Sequence, residues 1–356
     1  MSNDESASNS TPLRAAATKL GVCLGGTQPT ILAEAEIAER IGQGRPYLTV
    51  RGALICGKDG ERETLAEVSF PPETCAGHYP SSPSIPLVDM GRAMDQVAAI
   101  SLDSRRGIPL LRRISKLRAE SMEAAHPDNA YWVWARKEKG ELITRLYSSA
   151  TGSALASIHG WEYDFAASPV VSGSPQFPGL VMSAGADEIE WSDPIHSDQI
   201  GKCIPQTPPF LVLKSGRRGR VSSGAEVVQT ISRFEAHHVA GHMCGADLLG
   251  PMHYSRSLAQ SGMLLAALVG NAGAVVPEVV SAKTIWYDTR EYFAPDAEVV
   301  TTVICDRNFV RGGNAFVTMT GVVCIHDKPV LGTDSFNYVL IPDAQHPATK
   351  ANGGKQ

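Results

Sequence analysis

The sequence lacks what would tie it to a bilayer, to nucleic acid or to a disulfide frame. No apolar run approaches the roughly 20 residues that a membrane-crossing helix needs. Basic residues are not in surplus: 32 Lys and Arg stand against 37 Asp and Glu, a formal net charge of −5. A nucleic-acid binder shows the opposite balance. An acidic carrier protein is not excluded, because a local basic patch would receive it. The 7 cysteines are odd in number, scattered and free of CxxC spacing, which fits reduced thiols better than a disulfide or zinc framework. Residues 1–11 lack the basic-then-apolar pattern of a secretory leader, so the expectation is a soluble, cytoplasmic protein. Aromatics are few, at 6%, while 43% apolar and 19% charged residues are ordinary for a globular chain. A length of 356 residues predicts about two domains.

The first dozen residues are rich in Ser and Asn and are expected to be disordered; we draw this tail to residue 25, and a second one over 346–356. Residues 166–203 are rich in Pro, Ser and Gly and read as a linker. They separate two candidate domains, 26–165 and 204–345.

An internal repeat is the most informative feature. Ala76-Gly77-His78 recurs as Ala240-Gly241-His242, and Phe70, Arg92 and Gln96 recur at the same offset as Phe234, Arg256 and Gln260. Arg45-Pro46-Tyr47-Leu48 aligns with Pro208-Pro209-Phe210-Leu211, and Pro127-Asp128 with Pro295-Asp296. Several landmarks in one order at nearly one spacing indicate duplication. Each half then predicts a helix, from Leu87 to Ile100 and from Met252 to Val269. Both are apolar nearly all round and therefore buried. Strands are expected at Tyr131 to Arg136, Ala154 to Tyr163, Glu298 to Asp306 and Ala315 to Cys324, where Val, Thr, Ile and Trp suit a half-buried pleated surface. The pattern is α+β, an antiparallel sheet wrapped around a helix in each half.

His78-Tyr79-Pro80-Ser81-Ser82-Pro83-Ser84-Ile85-Pro86 closely resembles the His-Phe-Pro-x-x-Pro-x-x-Pro motif of the 3-hydroxyacyl-carrier-protein dehydratases. Ala93-Met94 followed by Gln96 resembles that family's Ala-Met-Ala-Gln, and Ile204 to Val212 resembles its opening segment. The run from His242 to Pro251 is loosely similar to the His-x-x-x-Gly-x-x-x-x-Pro motif of polyketide-synthase dehydratase domains, with Gly245 one residue early. The resemblance implies a double hotdog: two antiparallel sheets, each around a central helix, paired within one chain as a pseudo-dimer that could dimerise further. It also implies a His from one half working with a carboxylic acid on the helix of the other. A helix N-terminus would bind the thioester oxygen. The substrate would be a 3-hydroxyacyl thioester on acyl carrier protein or coenzyme A, in polyketide or specialised fatty-acid synthesis. No cofactor is implied beyond the substrate's own phosphopantetheine, and no nucleic acid or membrane partner.

The sequence departs from that pattern at the acid. The position six after the motif's last Pro holds Arg92, and counted from Gly250, which replaces that Pro in the second half, it holds Arg256. Arginine stays protonated and cannot donate the proton, but it can hold an oxyanion. Asp89, three residues before Arg92 on the same helix face, is the substitute acid. The matching trio is His253, Arg256 and Gln260. The resemblance therefore places His242 opposite Asp89 and Arg92, and His78 opposite His253 and Arg256. Catalytic candidates are His78, His242, Asp89, Arg92 and Arg256. Substrate-binding candidates are Leu87, which follows the last Pro and offers a backbone N–H, Tyr79, His253, and Gln96 and Gln260, which are expected to orient neighbours rather than react. Pro251, at the position matching Leu87, has no N–H.

His237, His238 and His242 might suggest a metal, and on a strand His238 and His242, four apart, would share a face, but no third ligand has zinc-like spacing, so no metal is expected. Cys75 and Cys244 read as small buried thiols, and Lys214, Arg217, Arg218 and Arg220 as a solvated turn that could receive a carrier. The leading expectation is a dehydratase-like hydro-lyase. Thioester hydrolysis, acyl transfer, decarboxylation, isomerisation, cyclisation or acyl binding without catalysis on the same scaffold are the alternatives.

Overall fold

The structure is a computed structural model, which describes residues 13–21, 29–57, 62–79, 84–102, 107–122, 125–166, 189–243, 246–270, 275–289 and 292–342. Two long helices organise it. α4 (Leu87–Ser101) starts directly after Pro86 and buries 12 of its 15 residues. α7 (Pro251–Val269) places its Pro at the first helical position, where a missing N–H does no harm, and buries 14 of its 19 residues. Each is enclosed by sheet, and the two helices pack on each other, which is why neither shows a polar face.

The sheet explains how the halves join. Strands β1 (Thr30–Ala33), β2 (Val50–Cys56), β3 (Glu63–Val68), β5 (Tyr131–Glu138), β6 (Glu141–Ser148), β7 (Ala154–His159) and β4 (Ile108–Ala119) lie side by side in that order. The order then runs on through β12 (Val275–Tyr287), β15 (Lys328–Pro342), β14 (Asn314–Ile325), β13 (Val299–Arg311), β11 (Glu226–Ser232), β10 (Leu213–Val221) and β9 (Ile189–Ile195), while β8 (Glu162–Ala166) pairs with β4. The second half thus repeats the first in reverse spatial order. β4 and β12 pair antiparallel from Arg118 opposite Ser281 to Arg113 opposite Trp286. The expected pair of sheets is therefore one continuous antiparallel sheet of 15 strands among the described residues. In β14 buried and half-buried positions alternate along the strand, as expected for a sheet with one face on the core.

The repeat extends to connections. Short helices α2 (Glu34–Ile41) and α3 (Pro72–Cys75) in the first half match α5 (Ser197–Cys203) and α6 (Ala236–Val239) in the second. The peptides before Pro46 and Pro209 are both cis. The loops that carry the two motif histidines cross over. Thr207 N–H donates to the Gly77 carbonyl at 2.8 Å, and Gly44 N–H donates to the Gly241 carbonyl at 2.7 Å.

Three sequence expectations are corrected here. The N-terminal tail does not extend to residue 25, because residues 13–19 form a helix, α1, that buries Leu13, Ala16 and Ala17 against Leu54, Leu65 and Trp134. The linker is shorter than 166–203: β8 runs to Ala166, and β9 and α5 occupy Ile189–Ile195 and Ser197–Cys203. The rest of that linker, residues 1–12 and the C-terminal tail lie outside the described residues. The basic run is strand β10, not a turn. Arg218 and Arg220 pair with Glu226 from β11, and the Arg217 guanidinium lies 3.9 Å from the Trp191 ring centre. No described helix is long and apolar enough to cross a membrane.

Candidate active site

The motif histidines are oriented alike. His78 Nδ1 donates to the Ser84 carbonyl at 2.9 Å, with Ser84 Oγ at 3.1 Å. His242 Nδ1 donates to the Leu248 carbonyl at 2.8 Å. A carbonyl only accepts, so each Nδ1 carries the proton and each Nε2 keeps its lone pair. Burial holds His78 below the ordinary histidine range, against the opposing pull of Glu278 and the Ser84 bond. Burial pushes His242 down to about 4. Both rings are therefore neutral near pH 7, in the state a base requires.

Each imidazole meets an aromatic ring from the other half. His78 packs on Phe210 with ring centres 4.9 Å apart, and the Arg256 guanidinium lies 4.3 Å from the same Phe210 ring. His242 packs on Tyr47 at 4.7 Å, and the Arg92 guanidinium lies 4.9 Å from the Tyr47 ring. Tyr47 and Phe210 are equivalent positions of the repeat. His78 and Arg256 thus share the Phe210 ring, and His242 and Arg92 share the Tyr47 ring. Gln96 and Gln260 hold these rings in place. Gln96 accepts from Thr49 N–H and donates to the Tyr47 carbonyl and to Gln43. Gln260 accepts from Val212 N–H and donates to the Phe210 carbonyl. Both amides thus orient neighbouring backbone, and Gln96 also bonds the Thr49 and Gln43 side chains.

Asp89 sits between the helices. Arg92 Nη2 lies 3.1 Å from Asp89 Oδ1, and Arg256 Nη2 lies 3.4 Å from both carboxylate oxygens. The expected proton donor is the hub of a buried three-charge cluster. His253 departs further from expectation. It stands beside His242 at 5.2 Å and Tyr47 at 5.7 Å, not opposite His78. Its Nδ1 accepts from Gly250 N–H and its Nε2 donates to the His238 carbonyl. This ring caps its own helix, which explains why it cannot reach across.

The two histidines differ in their surroundings. The His242 ring lies so close to Gly250 that any Cβ there would overlap its Cε1 and Nε2. His78 instead neighbours Tyr79, whose ring centre is 4.3 Å away. The Tyr79 hydroxyl donates to Glu278 on β12 of the other half. Burial and Glu278 hold this phenol well above its usual range. Glu278 is the functional candidate that sequence reasoning missed. Its only signal is a lone carboxylate inside the apolar run Val275-Val276-Pro277-Glu278-Val279-Val280. Leu87 opens α4, so its N–H is one of the helix's free donors. It also lines an apolar cavity of about 70 Å³ with Val279, Met252 and Tyr338.

Burial drives the Cys75 thiol up to about 12, as expected of a structural cysteine; Cys244 lies outside the described residues. His238 lies on helix α6, not on a strand, and both its nitrogens bond backbone atoms of Glu235 and Pro209. No cluster of metal-binding side chains occurs among the described residues.

Asp95 is a further, partly buried carboxyl on α4. It accepts from Tyr163 Oη at 2.8 Å, and burial raises it to about 7. A carboxyl raised on folding binds its proton more tightly in the native state. Its contribution is therefore favourable at low pH and is lost as pH rises from near 4 through 7. Asp95→Asn removes that loss, so its gain in stability should be larger at pH 8 than at pH 5 by about 2–3 kcal/mol, each tenfold change in proton affinity being worth roughly 1.4 kcal/mol. Urea midpoints at the two pH values check this; equal effects at both would show that Asp95 titrates as an ordinary carboxylate.

No family model matches the sequence, and no curated protein matches it. Solved structures do match. The dehydratase domain of PpsC from Mycobacterium tuberculosis, in complex with C12:1-CoA, is 14% identical with a TM-score of 0.52, over 83% of this chain and 99% of that one. The dehydratase domain from the CurJ module of curacin polyketide synthase is 11% identical with a TM-score of 0.56, over 83% and 96%. The dehydratase domain from the terminal module of the rifamycin polyketide synthase is 12% identical with a TM-score of 0.52, over 85% and 99%. The chain has the double-hotdog fold of polyketide-synthase dehydratase domains.

Proposed function

We propose that this protein is a dehydratase-like enzyme that acts on 3-hydroxyacyl thioesters in polyketide or specialised fatty-acid synthesis, with His78 as its base. The observation that carries the reading is the His78 tautomer: Nδ1–H is anchored on Ser84, and a neutral Nε2 is available to take the proton α to the thioester carbonyl. The first N–H groups of α4, beginning at Leu87, are suited to the developing enolate oxygen. Beside His78, Glu278 accepts from the Tyr79 hydroxyl, and we assign to Glu278, entering the step as a carboxylic acid, the proton that the departing hydroxyl takes as water; the phenol keeps its own proton and positions the carboxyl. Acyl carrier protein or coenzyme A would deliver the substrate. His242, packed on Gly250, is a structural counterpart.

A second reading keeps the base and drops the leaving group. Both family acid positions hold arginine, and double-bond migration in an enoyl thioester needs proton transfer at carbon only.

Intact-mass measurement of a carrier protein loaded with a 3-hydroxyacyl chain decides between them. Loss of about one water mass on incubation supports dehydration. An unchanged mass with a migrated double bond in the enoyl-loaded carrier supports isomerisation. In either case kcat/KM should rise with pH and level off at a midpoint below 6.5, because burial lowers His78 and the base must be unprotonated. A limb that falls on raising pH through that range would exclude His78 as base.

A further inference from the structure

A second cavity, of about 230 Å³, lies between the two halves and is lined by neither His78 nor His242. Its walls are pairs of equivalent residues, one from each half: Pro46 with Pro209, Ala76 with Ala240, and Arg92 with Arg256. The two guanidiniums share one buried carboxylate, Asp89, so this cluster carries one positive charge without a partner. Arg92 is only 4% exposed. Its Nε and Nη2 have no hydrogen-bond partner, since Nη2 lies near Asp89 without pointing a hydrogen at it. A buried cation with unsatisfied N–H groups is unfavourable unless an anion completes it. The other polar walls do not supply that anion. His238 is bonded to backbone on both nitrogens, His237 lies 3.4 Å from Glu235, and Glu73 is exposed to solvent.

We propose that this cavity binds a short-chain carboxylate, whose head is gripped by Arg92 and Arg256 and whose carbon chain lies between the Pro and Ala pairs. A guanidinium fork matches a planar carboxylate through paired N–H···O bonds. The apolar pairs suit a carbon chain and offer nothing to bare phosphate. The site does not depend on which reaction His78 performs, and neither His78 nor His242 lines it.

Saturation-transfer NMR on the full chain tests this with butyrate, its neutral isostere butyramide, and inorganic phosphate. Butyrate should bind and butyramide should not. Arg92→Gln and Arg256→Gln should each weaken butyrate at least tenfold. Asp89→Asn removes the competing carboxylate and should tighten it several-fold, an effect in the opposite direction that misfolding would not imitate. The proposal is overturned if butyramide binds as well as butyrate, if phosphate binds more tightly than butyrate, or if the folded arginine variants bind unchanged.

Discussion

His78→Ala should lower turnover by about 10²- to 10⁴-fold, the usual contribution of a positioned general base. The loss should fall on kcat, because the imidazole takes its proton during the chemical step and not on binding. The control is His242→Ala. That ring packs on Tyr47, His253 and Gly250, so its removal should cost about 2–4 kcal/mol of stability as a buried cavity and leave kcat within a few-fold in the fraction that stays folded. Glu278→Gln separates the two reactions considered above: it should suppress water loss and spare double-bond migration. Rates from the carrier-mass assay, with urea midpoints for each variant, read all three. A His78→Ala enzyme that still turns over, beside a dead but folded His242→Ala, would move the active centre to the other half.

Gly77→Ala and Gly241→Ala should each destabilise the protein by about 2–4 kcal/mol, among the largest effects of adding one methyl group. Both glycines have φ near +80°, at 82° and 77°. A Cβ on Gly77 would overlap the Thr207 carbonyl oxygen, and one on Gly241 the carbonyl oxygens of Gly44 and Arg45. Those atoms are backbone of the opposite half, so no side chain can rotate away. Gly224→Ala is the matched control. It shares the positive φ, at 85°, but a Cβ there meets nothing within 4 Å. It should lose only the conformational term of about 1 kcal/mol. If all three variants melt alike, the crossover contacts are not the reason these loops hold their shape.

Duplication, both central helices and the strands beside them were legible because their signals are local or periodic. Phe70 and Phe234, Gln96 and Gln260, and the two Gly-His pairs mark equivalent points in both halves. The seam was not legible. β4 and β12 belong to different halves, and nothing in Arg113 to Arg118 names Ser281 to Trp286 as its neighbours. At the site, residue types and their helix faces paired Asp89 with Arg92 and His253 with Arg256; that Arg256 also reaches Asp89 was not legible. The direction of each side chain depended on packing. His253 turns back because Gly250 N–H needs a partner at the helix start, a demand set by the backbone and invisible in a list of reactive residues. Glu278 stayed hidden because it lies far along the chain from the His motif and meets Tyr79 only after the halves dock.

The covalent continuity of the two halves has a consequence for how the molecule can vary. In a dimer of identical chains every residue appears twice, so any charge placed on the axis is placed as a pair. Here the halves share one chain, and each position can change alone. Asp89 faces both arginines, while its counterpart, His253, has turned away to cap a helix. A symmetric ancestor with this carboxylate would hold two acids and two arginines on the axis and be electrically balanced. Breaking the symmetry leaves three charges there, an odd number that no homodimer could place on its own axis.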